Sequence, residues 1–186
     1  MGKPAVTVTS TPWAKISPIE PHDNVDSFSC GLESVDSWFK LKAIESQRDG
    51  RVRTWVCKDA NSNIIAFFAL KTITIRLAAK EGSALRSLGD ESTAVLIAQM
   101  GITGNYQGNG YATHLVSEIL AKCVAVDSIS STRAVAVDAE NDSLIPFYEK
   151  NGFVHTRSQR GRLLMKMSRA RKMVEAAQEV RQQNIS

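Results

Sequence analysis

Gln107-Gly108-Asn109-Gly110-Tyr111-Ala112 decides the fold because of what stands on either side of it. An apolar run, residues 94–98 continuing to Met100 and Ile102, precedes it and reads as a long strand. Behind it Leu115, Val116, Ile119, Leu120 and Cys123 recur at helical spacing. Strand, glycine turn and helix together present unpaired backbone N–H groups at a helix start. Those amides and the helix dipole favour a phosphate anion. Gly108 and Gly110 let the chain approach such a ligand closely, where a side chain would stand in the way. A plain glycine turn between strand and helix is the competing reading. Two other phosphate loops are excluded by spelling. No Lys-Ser/Thr pair follows Gly110, and the hexad lacks the third glycine of a dinucleotide fingerprint, which in any case opens early in a βαβ unit.

Support for a ligand comes downstream. Residues 135–137 read as a short buried strand, followed by Asp138-Ala139-Glu140-Asn141-Asp142-Ser143 and then Leu144-Ile145-Pro146-Phe147-Tyr148-Glu149-Lys150-Asn151-Gly152-Phe153. Asp142 or Ser143 suits a helix cap, and Pro146 falls in the first turn, where its missing N–H costs little. Gly152 is the expected left-handed stop. The hexad fits the pattern Gln/Arg-x-x-Gly-x-Gly/Ala, which resembles the acetyl-CoA pyrophosphate loop of the GNAT N-acetyltransferases. The downstream stretch resembles the second half of the GNAT core, where an Asn opens a helix and Phe-Tyr-Glu-Lys-x-Gly-Phe closes it into the next strand. The resemblance covers roughly residues 16–167.

A chain of 186 residues with 43% hydrophobic and 23% charged content is expected to form one domain with its own core. No apolar run approaches the ~20 residues of a membrane span, and residues 1–10 lack the apolar centre of a signal peptide. Cys30, Cys57 and Cys123 have no metal-ligand spacing and read as reduced, mostly buried thiols, so a cytoplasmic location and no metal are expected. The net charge of +4 is modest, but its distribution is uneven. Arg157, Arg160, Arg162, Lys166, Arg169, Arg171 and Lys172 crowd one stretch, and Arg48, Arg51 and Arg53 form a second group. Such clusters attract polyanions, or else form a solvated face.

Along the chain, residues 1–15 read as an N-terminal extension and 16–19 as a weak first strand interrupted by Pro18. Residues 31–44 carry Leu32, Val35, Trp38, Phe39 and Leu41 at near-helical spacing. Residues 53–57 and 64–75 form a hairpin across the turn at 59–63. Residues 78–90 hold a short helix at most. The long strand to Ile102, a helix over 110–125, the strand at 135–137, a helix over 143–150 and strands near 153 and 163–167 follow. Residues 168–186 read as a C-terminal helix or tail that docks a partner or packs across a dimer neighbour. The expected class is α+β: a GNAT fold with a central mixed, mostly antiparallel sheet flanked by helices in a single domain.

The N-terminal half narrows the resemblance. Phe28-Ser29-Cys30-Gly31-Leu32-Glu33-Ser34-Val35-Asp36-Ser37-Trp38-Phe39 is similar to the Phe-x-Cys-Gly-x-x-x-Leu-x-x-Trp-Leu signature of the GNAT toxins of bacterial toxin–antitoxin pairs, which acetylate aminoacyl-tRNA. Arg53-Thr54-Trp55-Val56-Cys57 and Ala66-Phe67-Phe68-Ala69-Leu70 resemble the two strands that follow in that group. Core packing accounts for Cys30, Trp38 and Phe39 as side chains. Val35 and Ala66 are mild departures, and Gln99 stands where the group often has Arg, which removes a phosphate or tRNA contact.

The resemblance implies direct acetyl transfer from acetyl-CoA to an amine. The backbone of Gln107, Gly108, Asn109, Gly110, Tyr111 and Ala112 would hold the pyrophosphate. Met100 and Ile102 would pair with the pantetheine arm as an added strand does, and Asn141 would bond the arm further along. Tyr148 would be the general acid at the sulfur. No base is evident: Glu149 and Asp138 read as surface and strand-end charges, and His22, His114 and His155 lack partner spacing. Arg76, Lys80, Arg86, Arg157, Arg160 and Arg162 are the candidate tRNA contacts, since phosphate contacts by Lys and Arg supply most nucleic-acid affinity. The implied partners are aminoacyl-tRNA, a ribbon-helix-helix antitoxin and a second copy of the chain, with no membrane. Alternative readings are a GNAT acting on protein N-termini, lysines or a small-molecule amine, and a non-catalytic CoA- or partner-binding module.

Overall fold

Two long strands carry the architecture, β3 (Ile64–Arg76) and β4 (Glu91–Ile102). Both are long because β-branched and apolar residues run almost unbroken through them. The structure, a computed structural model, describes residues 11–78 and 81–183, so the first ten residues of the expected extension, Lys80 and the last three residues of the tail lie outside the described residues. β3 and β4 pair antiparallel from Ala66↔Ile102 to Arg76↔Glu91. The register slips midway: Ala69 faces Gln99 while Leu70 faces Ile97, so Ala98 is an extra residue, a β-bulge in β4. On one side of this pair β2 (Arg53–Lys58) and β1 (Lys15–Pro18) add antiparallel. The β2–β3 turn is fixed by Asp59, whose carboxylate accepts the N–H groups of Asn61 and Asn63 at 2.9 Å each.

On the other side β5 (Ala134–Asp138) lies parallel to β4, followed by β7 (Arg162–Lys166) and the short β6 (Val154–His155), both antiparallel. The order is β1-β2-β3-β4-β5-β7-β6, a mixed sheet with one parallel pair. That pair opens the molecule. Pairing of β4 with β5 runs from Ala94↔Ala134 to Ile97↔Val137 and stops at the bulge. Beyond it β4 continues through 98–102 with β3 on one edge and, among the described residues, no strand on the other. The sheet therefore splits into a V.

Helices α2 (Tyr111–Ile129), α3 (Ile145–Lys150) and α4 (Met167–Gln183) cover one face over Val95, Ile97, Val135, Leu163 and Met165. The opposite face carries α1 (Glu33–Arg48) over Val56 and Phe67, while a loop with the single 3-10 turn Arg86–Leu88 covers Ala94, Leu96 and Leu164.

The helices differ from expectation in detail. α1 buries Val35, Phe39, Ala43 and Ser46, one stripe at helical spacing, whereas Leu41 is 73% exposed and belongs to the outer face. Helix α3 is preceded by a 3-10 turn, Asp142–Leu144, capped by Asn141 rather than by Asp142 or Ser143: the Asn141 side-chain oxygen accepts the Ser143 N–H at 3.1 Å. Pro146 occupies the first turn of α3, and Gly152 ends the helix at φ +92, as expected. The tail forms α4, which packs on α2 of its own chain through Met167, Ala170, Met173 and Val174. Arg171 Nη2 meets Asp127 at 2.5 Å and Arg181 Nη2 meets Glu118 at 2.6 Å, fastening the two helices.

Candidate functional site

The V between β4 and β5 is a cleft whose lining includes Ala98, Gln99 and Met100 from the free edge, Val137 and Glu140 from the β5 side, and Tyr148 from α3. Tyr148 is held there by its ring. It is 5% exposed, edge-on to Phe147 at 5.2 Å and to Phe153 at 5.9 Å. Its hydroxyl bonds no described residue and is not among the fully enclosed unpaired polar atoms, so it opens onto the cleft. Burial of the ring, reinforced by the Glu140 charge, pushes its pKa up to about 12. A phenol in that state keeps its proton at neutral pH. It can give a proton to a leaving group; it is no base.

At the end of β4 the chain turns through a 3-10 segment, Gly104–Tyr106, into the glycine loop. Gly108 and Gly110 both adopt left-handed φ, +79 and +80, a conformation that costs other residues about 1–2 kcal/mol. A Cβ at either would meet nothing within 4 Å, so the surface above the loop is open. Among the described residues no acceptor takes the backbone N–H groups of residues 108–112. Unpaired amides at the start of a full-length helix are an arrangement that suits an anion. Gln107 differs from the rest of the hexad. Its own N–H is donated to Gly104 O at 3.2 Å, and its side-chain Nε2 donates to Cys30 O and Ile102 O, each at 2.8 Å. Gln107 therefore anchors the loop. Ile102 correspondingly has its carbonyl taken, and Met100 is the half-buried residue that lines the cleft.

That anchor explains the Phe-Ser-Cys-Gly stretch. Asp36, one turn into α1, reaches back to accept Ser29 Oγ at 2.9 Å, Cys30 N at 2.7 Å and Gly31 N at 3.3 Å. Gly104 N donates to Ser29 O at 3.1 Å. The segment lies directly on β4 because Gly101 has no side chain: a Cβ there would sit 3.1 Å from Phe67 and 3.2 Å from Phe28. Burial, with Asp36 beside it, raises the Cys30 thiol to about 11, so it is a packed group and no nucleophile. Nothing in the spelling of residues 28–36 announces a tie to residues 102–107; only the fold brings them together.

The carboxylates around the cleft are not equivalent. Asp138 is gripped by both arms of Arg162, at 2.7 and 2.6 Å, and Asp142 meets Arg160 at 3.0 Å. Glu149 is exposed on α3. Glu140 alone of the four lines the cleft without a cation among the described residues; one of its oxygens accepts Ser34 Oγ across the mouth. Sequence reading missed it because Ser34 and Glu140 are far apart in the chain.

The candidate tRNA contacts are scattered. Arg76 pairs with Glu91 at 2.9 Å at the far end of β3, and Arg160 and Arg162 are paired as above. Arg76 and Arg162 nevertheless share one surface hollow with Thr74, Glu91 and Gln159. Arg86 is exposed on the 3-10 turn, and Lys80 lies outside the described residues. The loop of Arg157 is pinned by Glu81, a buried carboxylate that accepts Arg157 N at 3.0 Å, Ser158 N at 2.9 Å and the Ser158 hydroxyl. Burial alone would raise its pKa, but these hydrogen bonds hold it below the ordinary carboxylate value. The stabilisation is therefore present above the ordinary carboxylate range and fades as pH falls through it. Glu81→Ala is expected to cost about 2–3 kcal/mol at pH 7, because amides are left unpaired. Denaturant unfolding at pH 7 and again at pH 3.5 checks this, with the difference between parent and variant shrinking at the lower pH.

Comparison with known proteins agrees with this fold. A tRNA-acetylating toxin of Mycobacterium tuberculosis (strain ATCC 25618 / H37Rv) is 29% identical over 158 residues, covering 84% of this chain and 93% of the relative. The structure of AtaT complexed with acetyl-methionyl-tRNAfMet superposes with a TM-score of 0.77 at 15% identity, covering 86% of this chain and 98% of the other. A mutant AtaT toxin bound to the C-terminus of the antitoxin AtaR and acetyl-CoA gives 0.71 at 16% identity, covering 84% and 94%. The family model described as the acetyltransferase (GNAT) family matches residues 18–153, from the end of β1 through the Gly152 stop. The chain belongs to the GNAT family of acetyltransferases.

Proposed function

We propose that the protein transfers the acetyl group of acetyl-CoA to the α-amino group of aminoacyl-tRNA, and so acts as a translation-blocking toxin. One observation carries the donor half. The edge of β4 left free beyond its pairing with β5 runs from the cleft that Tyr148 lines toward the turn into the glycine loop, whose amides at 108–112 are unpaired among the described residues. The amides bind the pyrophosphate, and the edge around Met100 pairs with the amide groups of the pantetheine arm. Asn141, its oxygen engaged in the cap, retains its amide N–H groups for the arm. A neutral amine attacks the thioester carbonyl, the C–S bond breaks, and Tyr148 protonates the sulfur.

The acceptor half is supported by the relative named as a tRNA-acetylating toxin, aligned over most of both chains, and by the surface hollow that Arg76 and Arg162 line. Arg86 and Arg157 are exposed on their loops, and Arg160 and Arg162 turn their remaining N–H groups to phosphate while keeping their carboxylates. Incubation with acetyl-CoA and a full pool of charged tRNA is expected to yield acetyl-aminoacyl-tRNA, with turnover falling steeply as salt rises. No product from the pool, with free amines or peptides acetylated instead, would move the acceptor to that class. An antitoxin of the ribbon-helix-helix type, a homodimer and a cytoplasmic location complete the reading. The exposed Leu41 and Ile129 are apolar contacts open to a partner chain. A companion gene whose product co-purifies and inhibits transfer tests the first of these.

The cradle gives a prediction of its own. Gly108→Val sets a branched side chain at φ +79, above the amides. The fold should persist at a cost of about 1–2 kcal/mol, while acetyl-CoA affinity falls about tenfold or more as phosphate contacts are lost. Calorimetric titration with acetyl-CoA and with pantetheine, which lacks the phosphates, separates the two effects: pantetheine binding should be unaffected.

A further inference from the structure

We propose that Glu140 forms the subsite for the ammonium group of the acceptor, holding the substrate amine in the mouth of the β4–β5 cleft opposite Tyr148. The inference rests on reading that cleft as the site of acetyl transfer. An amine acceptor arrives at neutral pH largely as a cation, yet must reach a cleft whose other lining residues are apolar or neutral, except Asp138, which Arg162 already pairs. A carboxylate with a cation already attached offers it little. Asp138 and Asp142 are in that condition, neutralised by Arg162 and Arg160. Asp36 is spent on the Ser29 hydroxyl and two backbone amides. Glu140 lines the same cleft as Tyr148 and, among the described residues, bonds only the Ser34 hydroxyl, through Oε1. An ionised carboxylate accepts about four hydrogen bonds, so Oε2 remains for an incoming N–H.

The Ser34 bond also fixes direction. Ser34 sits in the first turn of α1, in the segment that Asp36 and Gln107 lock to the end of β4. Glu140 is thus tethered across the cleft to the same framework that holds the glycine loop. The charge is close enough to raise the Tyr148 pKa further, which keeps the proton donor protonated. The balance of the step is simple. The bound ammonium releases a proton to water, the amine nitrogen bonds the acetyl carbon and loses its second proton to solvent. The C–S bond breaks, Tyr148 gives its proton to sulfur, and solvent restores Tyr148. Glu140 orients the amine and need not keep a proton.

The test uses Glu140→Gln, a nearly isosteric change at an exposed position. With CoA replacing acetyl-CoA to prevent turnover, charged tRNA is compared with the same tRNA carrying the hydroxyacyl analogue, which lacks the ammonium. The parent should favour the aminoacyl form about tenfold or more, the usual scale of a charge-assisted contact. In Glu140→Gln that preference should vanish, with the acceptor KM raised, acetyl-CoA affinity unchanged and Glu140→Asp partly restoring it. Ser34→Ala should lose part of the preference. A variant that keeps the full preference, or a parent that shows none, overturns the proposal. If the protein acetylates a small amine and ignores tRNA, the acceptor reading fails by itself, and the same comparison with that amine and its alcohol still decides Glu140.

Discussion

Tyr148→Phe is expected to lower kcat by about 100- to 1,000-fold while leaving acetyl-CoA affinity unchanged, within the range for removal of a general acid. The ring is what the structure buries, between Phe147 and Phe153, and phenylalanine keeps those contacts. Only the hydroxyl on the cleft is lost. With its pKa near 12, that hydroxyl is protonated over the whole working range. Its loss therefore removes a donor and leaves no pH signature of its own. The parent rate should rise with pH as the acceptor amine, of pKa about 8, loses its proton. It should show no alkaline fall from Tyr148 until pH approaches 12. The Tyr148→Phe profile should keep the same acid limb at the lower rate. Stopped-flow turnover and calorimetric binding across pH check both halves, and turnover equal to that of the parent would remove Tyr148 from the chemistry.

The backbone of the glycine loop and of α3 was legible in the chain because it is local. Gly108, Gly110, Pro146 and Gly152 each impose backbone geometry on their immediate neighbours, and α2 and α3 follow within a turn of their expected bounds. What escaped reading depends on register between distant strands. The bulge at Ala98 and the end of β4–β5 pairing at Ile97↔Val137 make the cleft, yet neither leaves a mark in residues 94–102. Glu140 became distinct only when Asp138 and Asp142 found their arginines. The same pairings answer the basic stretch after residue 156. Arg160 and Arg162 looked like free cations in sequence and are bound to acids in the fold. The apolar pattern of α1 was readable as helix but not as a face: Leu41 fits the spacing by eye and points to solvent. Gln107, whose backbone amide was expected at the pyrophosphate, gives that amide to Gly104 O and its side chain to Cys30 and Ile102.

That last tie makes Phe67 the residue whose removal should do most harm away from the chemistry. Its ring is fully buried, stacked on Phe39 at 4.0 Å and on Trp38 at 6.1 Å, and edge-on to Phe28 at 5.1 Å. It also faces Gly101 across β3 and β4, filling the space a side chain there would need. Phe67→Ala is expected to cost about 3–5 kcal/mol, the range for deleting a buried aromatic side chain into a rigid cavity. Phe67→Leu refills much of the volume and should cost appreciably less. The damage should extend beyond stability. Phe28 and Cys30 rest on this ring cluster, and Cys30 O is one of the two acceptors that hold Gln107. If the cluster loosens, the glycine loop loses an anchor, so acetyl-CoA should bind more weakly in Phe67→Ala at temperatures where the variant is still folded. Gln107→Ala should reproduce that weakening at small cost in stability. Parallel thermal melts and acetyl-CoA titrations of the three variants decide the matter: a destabilised Phe67→Ala with undiminished acetyl-CoA affinity would mean that the aromatic cluster and the loop are mechanically independent.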